Sequence, residues 1–217
     1  MSLAPLNAAR FRQALALSLP DRDYGSFPDA ILAGVMLIVL PEPARVLAIA
    51  RADTMKDHPG EVAFPGGKVE GTEGVRAAAF REVTEEVGVQ PSELEYIGEL
   101  QALPVITAKY VVHPVLALAE ASVVPKICST EIDELLEIEL LPYLTGERRS
   151  LVFHGEWRGR PAAIRHFQLS DRLLYGASAA VLYELLERLA LSYGIALPEA
   201  GVAHGPPWGR RYADIDG

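Results

Sequence analysis

The stretch that most limits what this chain can fold into is a glycine-rich loop running directly into a helix with acids along one face. From Gly67 to Val89 it reads GKVEGTEGVRAAAFREVTEEVGV. The spacing predicts a helix from Glu73 to Val87, closed by Gly88 at the position where a left-handed cap is least strained. On that helix Glu82, Glu85 and Glu86 stand at i, i+3 and i+4 and share a face, while Phe80, Val83 and Val87 form another face that must be buried. Like charges so spaced cost about 0.2–0.5 kcal/mol per i, i+4 pair. Such a face is therefore either plain solvated surface or a place that wants a cation. Hard oxygen ligands grouped this way suit Mg²⁺, which keeps several waters and completes its shell from substrate phosphate. Gly66 and Gly67 let backbone come close to such an ion, and Arg81 is placed to clamp a carboxylate in one rotamer.

The whole-chain charge points the same way. The chain carries a net charge of −9, which argues against a nucleic-acid backbone as partner because phosphate recognition needs a basic face. A small polyanion remains an acceptable substrate if a divalent metal stands between it and the protein. With 217 residues, half of them hydrophobic, the chain has the length for one sizeable domain rather than two small ones. The longest apolar run, Ala30 to Leu40, falls well short of the ~20 residues a membrane span needs. No segment reads as a secretory leader. The single cysteine, Cys128, excludes an internal disulfide, fits a reducing cytoplasm and reads as a small buried hydrophobe.

Along the chain, Asn7 to Leu19 reads as an amphipathic helix through Phe11, Leu15 and Leu19. Ala30–Leu40 and Val46–Ala50 read as strands joined by a turn at Pro41–Pro43. Leu94–Leu103 and Tyr110–Ala119 read as further strands, and Glu131–Leu140 as loop running into a short strand. Leu151–Trp157 and Ala162–Leu169 flank Arg158–Gly159 as a hairpin, and Ala177–Leu191 reads as the second long helix. The hairpin-like strand spacing disfavours a doubly wound parallel sheet and gives an α+β class. Residues 1–197 are expected to form one domain with an N-terminal helix, and 198–217 an irregular tail. Of the histidines, His113, His154 and His166 fall on strands and are expected to be packed. Trp157 and Trp208 are two rings able to stack a base, although the first suits hairpin packing and the second the tail.

The Gly67–Val89 segment resembles the signature of the Nudix hydrolases. It meets every fixed position with Gly67, Glu73, Arg81, Glu82, Val83, Glu85, Glu86, Gly88 and Val89. The resemblance implies a mixed β-sheet sandwiched between helices, an α/β/α sandwich with the signature as loop–helix–loop. It implies metal-dependent hydrolysis of a nucleotide pyrophosphate linkage, with Mg²⁺ or Mn²⁺ as cofactor. By position Glu82, Glu85, Glu86 and the carbonyl of Gly66 would be metal ligands, and Arg81 would orient Glu82. In this family the attacking water is activated by a signature glutamate or by an acid on another loop. Glu82 fits the first role; Glu131, Asp133 and Glu134 are candidates for the second, with Glu131 taken foremost.

Upstream, Leu47 to Glu70 reads LAIARADTMKDHPGEVAFPGGKVE, which resembles the additional motif of the coenzyme A pyrophosphatases at Leu47, Arg51, Ala52, Gly60, Phe64, Pro65, Gly66 and Gly67. It departs from it at Ala48, Ile49, Lys56 and Glu70, and a lysine does not reproduce a bidentate arginine contact. This resemblance implies coenzyme A, or an acyl or oxidised form, as substrate. Arg51, Lys56, His58 and Lys68 are the residues expected to meet it. ADP-ribose, NADH, an oxidised nucleotide, or a non-catalytic nucleotide-binding module are the alternatives. No membrane or nucleic-acid partner is expected, and a homodimer is compatible with the reading.

Overall fold

Ten residues without a charge, Ile31–Leu40, form β1, and their alternation explains how the molecule is layered. A computed structural model of the protein describes residues 3–20, 22–105, 107, 109–157 and 160–207. Leu37 and Val39 of β1 enter one buried cluster, whereas Met36, Ile38 and Leu40 enter another. A strand buried on both faces needs a cover on each. One cover is the signature helix, whose Ala79, Val83 and Val87 belong to the second cluster. The other is built from the N-terminal helix and the long C-terminal helix, through Phe11, Leu182, Leu185 and Leu189.

The elements run α1 (Ala8–Ala16), β1, β2 (Arg45–Arg51), β3 (Val62–Ala63), β4 (Gly66–Lys68), α2 (Val75–Val87), β5 (Leu94–Glu99), β6 (Leu103–Pro104) and β7 (Tyr110–Ala119). They continue with β8 (Ile132–Glu139), α3 (Leu141–Thr145), β9 (Leu151–Trp157), β10 (Arg160–Leu169), β11 (Arg172–Tyr175), α4 (Gly176–Tyr193) and β12 (Gly201–Val202). The main sheet has the path β3-β2-β1-β7-β5, with β4 on β1, β6 on β7 and β8 on β2. Only β1 and β7 among these run parallel, in register from Ile31↔Tyr110 to Val39↔Leu118. The expected mixed sheet between helices is therefore what the chain forms, an α+β sandwich.

Several expectations need correction. The first helix stops at Ala16, and Leu17 is already extended, so Leu19 lies beyond it. The signature helix begins at Val75 after Gly74, which leaves Glu73 in the preceding turn. Glu131–Leu140 contains a full eight-residue strand paired antiparallel to β2 from Arg45↔Glu139 to Arg51↔Ile132. The strand expected over Leu94–Leu103 ends at Glu99. The hairpin β9–β10 is present, but it belongs to a second sheet of order β11-β10-β9-β12. The tail contributes to that sheet, since Gly201 and Val202 pair in parallel with Leu151 and Val152. The turn at Arg158–Gly159 and Trp208 lie outside the described residues, as does the side chain of Trp157. No helix among the described residues is long and apolar enough to cross a membrane.

Candidate active site

Two glycines seat α2 against the sheet. β4 pairs antiparallel with β1, setting Gly34 opposite Gly67 and Val35 opposite Gly66. A Cβ on Gly34 would stand 2.0 Å from the carbonyl oxygen of Val75, the first residue of α2. A Cβ on Gly67 would stand 2.2 Å from Oε1 of Glu82. Loop backbone and helix carboxylate therefore share space that a side chain at position 67 could take only by displacing Glu82.

Arg81 then fixes the acids. Its Nη2 donates to Oε1 of Glu73 at 2.9 Å and to the carbonyl of Lys68 at 3.1 Å. Its Nη1 donates to Oε1 of Glu82 at 2.9 Å and to Oε2 of Glu85 at 3.2 Å. One guanidinium has five N–H donors in a planar fork, enough to tie the loop, the turn and the helix together. Hydrogen bonding to Arg81 holds the Glu73 carboxyl below its ordinary range. Burial pushes Glu82 the other way, with Arg81 opposing the rise. Glu86 is the deepest of the acids, at 6% exposure, and its Oε2 accepts the N–H of Gly66 at 2.9 Å. Burial pushes its carboxyl up to about 7, with the charge of Glu82 adding to the rise and the Gly66 N–H and Arg51 opposing it.

These residues suit a hard divalent cation. Three carboxyl groups, on Glu73, Glu82 and Glu85, share the Arg81 guanidinium, while the buried Glu86 accepts the Gly66 N–H. Among the described residues no three acids, histidines or cysteines are already gathered as a closed cage. Arg81 holds Glu82 and Glu85, and Glu86 has one oxygen engaged by the loop. An ion that takes one or two carboxylates and keeps its waters does not need such a cage. At Gly66 the group facing Glu86 is the N–H.

The remaining candidates divide. Arg51 ends β2 with its Nη2 4.0 Å from Oε2 of Glu131, and its buried Nε has no hydrogen-bond partner among the described residues. Its charge and that of Glu131 both act on Glu86, so the upstream motif, the loop before β8 and the signature helix converge. The backbone agrees, because Ala52 N–H donates to the Glu131 carbonyl at 2.8 Å. Lys56 and His58 lie exposed on the loop between β2 and β3. Lys68 is also exposed and stands 3.5 Å from Glu70. Neither lysine is drawn into the acid cluster. Among the other expectations, His166 is fully buried, but His154 is exposed, contrary to its expected packing. Cys128 is exposed rather than buried, with its N–H on the carbonyl of Glu86 at 2.9 Å.

Three residues beside this site were not singled out from the sequence. Glu61 pairs with His58, Nδ1 to Oε2 at 2.8 Å, and accepts the Tyr175 O–H on Oε1 at 2.8 Å. Arg172 joins Glu134 to the carbonyl of Gly60.

Residues 31–154 match the NUDIX domain family. The chain is 29% identical over 188 residues to a protein named uncharacterized Nudix hydrolase NudL from Cronobacter sakazakii, covering 85% of this chain and 96% of that one. A protein of the same name from Yersinia pestis is 29% identical over 159 residues, covering 72% and 78%. The structure of a Nudix hydrolase from M. smegmatis, RenU, superposes with a TM-score of 0.43 at 23% identity, over 51% of this chain and 71% of that one.

Proposed function

As the chain belongs to the NUDIX domain family and is a Nudix pyrophosphohydrolase, we propose that the bond it breaks is the pyrophosphate of coenzyme A, or of an acyl or oxidised form. The products would be 3′,5′-ADP and 4′-phosphopantetheine. The observation that carries this reading is the position of Arg51. The motif that resembles the coenzyme A subgroup ends β2 with this arginine, 4.0 Å from Glu131 and close enough to act on Glu86. Its side chain is 22% exposed, and a permanent planar cation so placed suits a phosphate oxygen.

The reaction uses water as nucleophile. The face of α2 offers carboxylates, and among the described residues no serine or cysteine there is bonded to a base; His58, paired with Glu61, sits on the loop between β2 and β3. Glu82, Glu85 and Glu86 are the residues that would hold Mg²⁺ or Mn²⁺, which supplies positive charge to the phosphates and acidity to water when bound. Arg81 keeps Glu82 in one rotamer. Burial makes the Glu82 carboxylate more basic than an exposed one, which favours proton abstraction. Glu131, with its side chain 54% exposed opposite Arg51, is the second acid within this site for the same task.

The test compares kcat/KM for coenzyme A, 3′-dephospho-coenzyme A, ADP-ribose and NADH, with products identified by mass. A charge-assisted contact to the 3′-phosphate is worth roughly 1.5–3 kcal/mol, so coenzyme A should lead its dephospho form by about ten- to a hundredfold. If the dephospho form equals coenzyme A and ADP-ribose exceeds both, the substrate assignment is wrong.

A further inference from the structure

The loop between β2 and β3 is held by more than the strands it joins. Tyr175, the last residue of β11, lies in the second sheet and 114 positions away from Glu61, yet its O–H donates to Oε1 of Glu61 at 2.8 Å. Burial and the neighbouring carboxylate both raise the Tyr175 phenol well above its ordinary range, so it remains a donor. The other oxygen of Glu61 meets Nδ1 of His58 at 2.8 Å. The same strand supplies a second strut, Arg172, whose Nε donates to Glu134 at 2.8 Å and whose Nη1 donates to the Gly60 carbonyl at 3.4 Å. The loop turn is also tied to Arg51. Arg51 N–H donates to the Glu61 carbonyl at 2.9 Å, and Gly60 N–H donates to the Arg51 carbonyl at 3.2 Å.

An ionised carboxylate only accepts hydrogen bonds, so the proton shared with Glu61 must sit on Nδ1 of His58. In the neutral ring this leaves Nε2, on the far side, as an acceptor. The His58 side chain is 61% exposed, and no protein group among the described residues takes that acceptor. We infer that Glu61 and Tyr175 are positioning residues that aim His58 Nε2 at a neutral donor on the nucleotide half of the substrate, a ribose hydroxyl or an exocyclic amine. The inference rests on the reading of this chain as a nucleotide pyrophosphatase whose substrate crosses Arg51. It deepens that reading by assigning a donor-recognising contact to the exposed loop and a purpose to β11.

The test joins a spectroscopic and a kinetic measurement. ¹⁵N chemical shifts of His58 are recorded at pH 8 for the wild type, Tyr175→Phe and Glu61→Ala. kcat and KM are measured for these, for His58→Ala and for the His58→Ala/Tyr175→Phe double variant. In the wild type His58 should show the Nδ1–H tautomer, and Glu61→Ala should shift it toward Nε2–H. Tyr175→Phe should raise KM about three- to tenfold, the scale of one lost hydrogen bond, with kcat within about twofold of wild type. The double variant should be no worse than His58→Ala alone. A wild-type His58 that is Nε2–H or doubly protonated at pH 8 overturns the inference. So does an unchanged KM in Tyr175→Phe, or a Tyr175→Phe penalty that persists in full without His58. Every comparison uses the substrate the wild type turns over fastest, so losing coenzyme A as substrate leaves this test intact.

Discussion

His166 is the clearest case of a single residue paying for its place. It is fully buried on β10, and among the described residues its Nε2 has no hydrogen-bond partner while Nδ1 has only the carbonyl of Ile164 at 3.4 Å. Burial holds its pKa below the ordinary histidine value, so the unfolded chain takes up the proton first as pH falls. Stability contributed by the neutral ring is complete above the unfolded pKa of about 6.5 and is lost as pH falls through that value toward the folded one. His166→Leu removes this titration. Urea unfolding at pH 7.5 and 5.0 should show a smaller acid-induced loss of stability in the variant than in the wild type, and equal losses would refute this account. The acids of the site are read differently from one residue to the next. Glu82, Glu85 and Glu86 could be picked out from i, i+3, i+4 spacing because they lie on one helix. Glu61 and Tyr175 could not, because their contact joins two sheets and no local pattern encodes it.

Elements show why some parts of the chain were legible and others were not. The signature helix could be read because Val83 and Val87 are fully buried while the acids face away, and Gly88 closes it at φ 70°. Its start was misplaced by two residues, and that shift matters. Outside the helix, Glu73 can fold back onto Arg81 eight positions later. β8 was misread because Ile132 and Ile138 are its fully buried positions, while Leu135 and Leu136 side by side break the alternation. Its charges serve the strand pairing, as in the Arg45–Glu137 ion pair at 2.6 Å. β11 is four residues long, the short arm of a hairpin with β10, and four residues are too few for an alternation to show. At this scale the seating of α2 on its loop is testable. In Gly67→Ala the new methyl collides with the far end of the Glu82 side chain, which can swing aside, so folding should survive while the carboxylate leaves its place. A displacement of that size costs about a hundredfold in turnover. Melting temperature and kcat measured together check it, and an alanine variant with wild-type kcat would show that the position of Glu82 does not matter.

Over the whole molecule, two sheets and the signature helix meet around one rim. The main sheet carries Arg51 and the Gly66–Gly67 loop, α2 carries the acids, and the loop before β8 carries Glu131. The second sheet reaches the same rim through Arg172 and Tyr175. The α+β sandwich followed from strand spacing and from resemblance to the family. The second sheet did not, because β11 is only four residues long and β12 pairs with Leu151 and Val152 far back in the chain. The central claim is that the acidic face of α2 works by holding a divalent cation for pyrophosphate hydrolysis. Glu86→Gln tests it most directly, since the carboxamide oxygen can still accept the Gly66 N–H while the charge is gone. Turnover of coenzyme A is measured for wild type and variant after EDTA treatment and across a Mg²⁺ titration. The wild type should be inactive in EDTA and restored by Mg²⁺. The variant should fold, yet fall by more than the ten- to hundredfold typical of losing an outer-shell partner. Wild-type turnover in EDTA, or a Glu86→Gln enzyme that is nearly as fast as the wild type, would contradict the account.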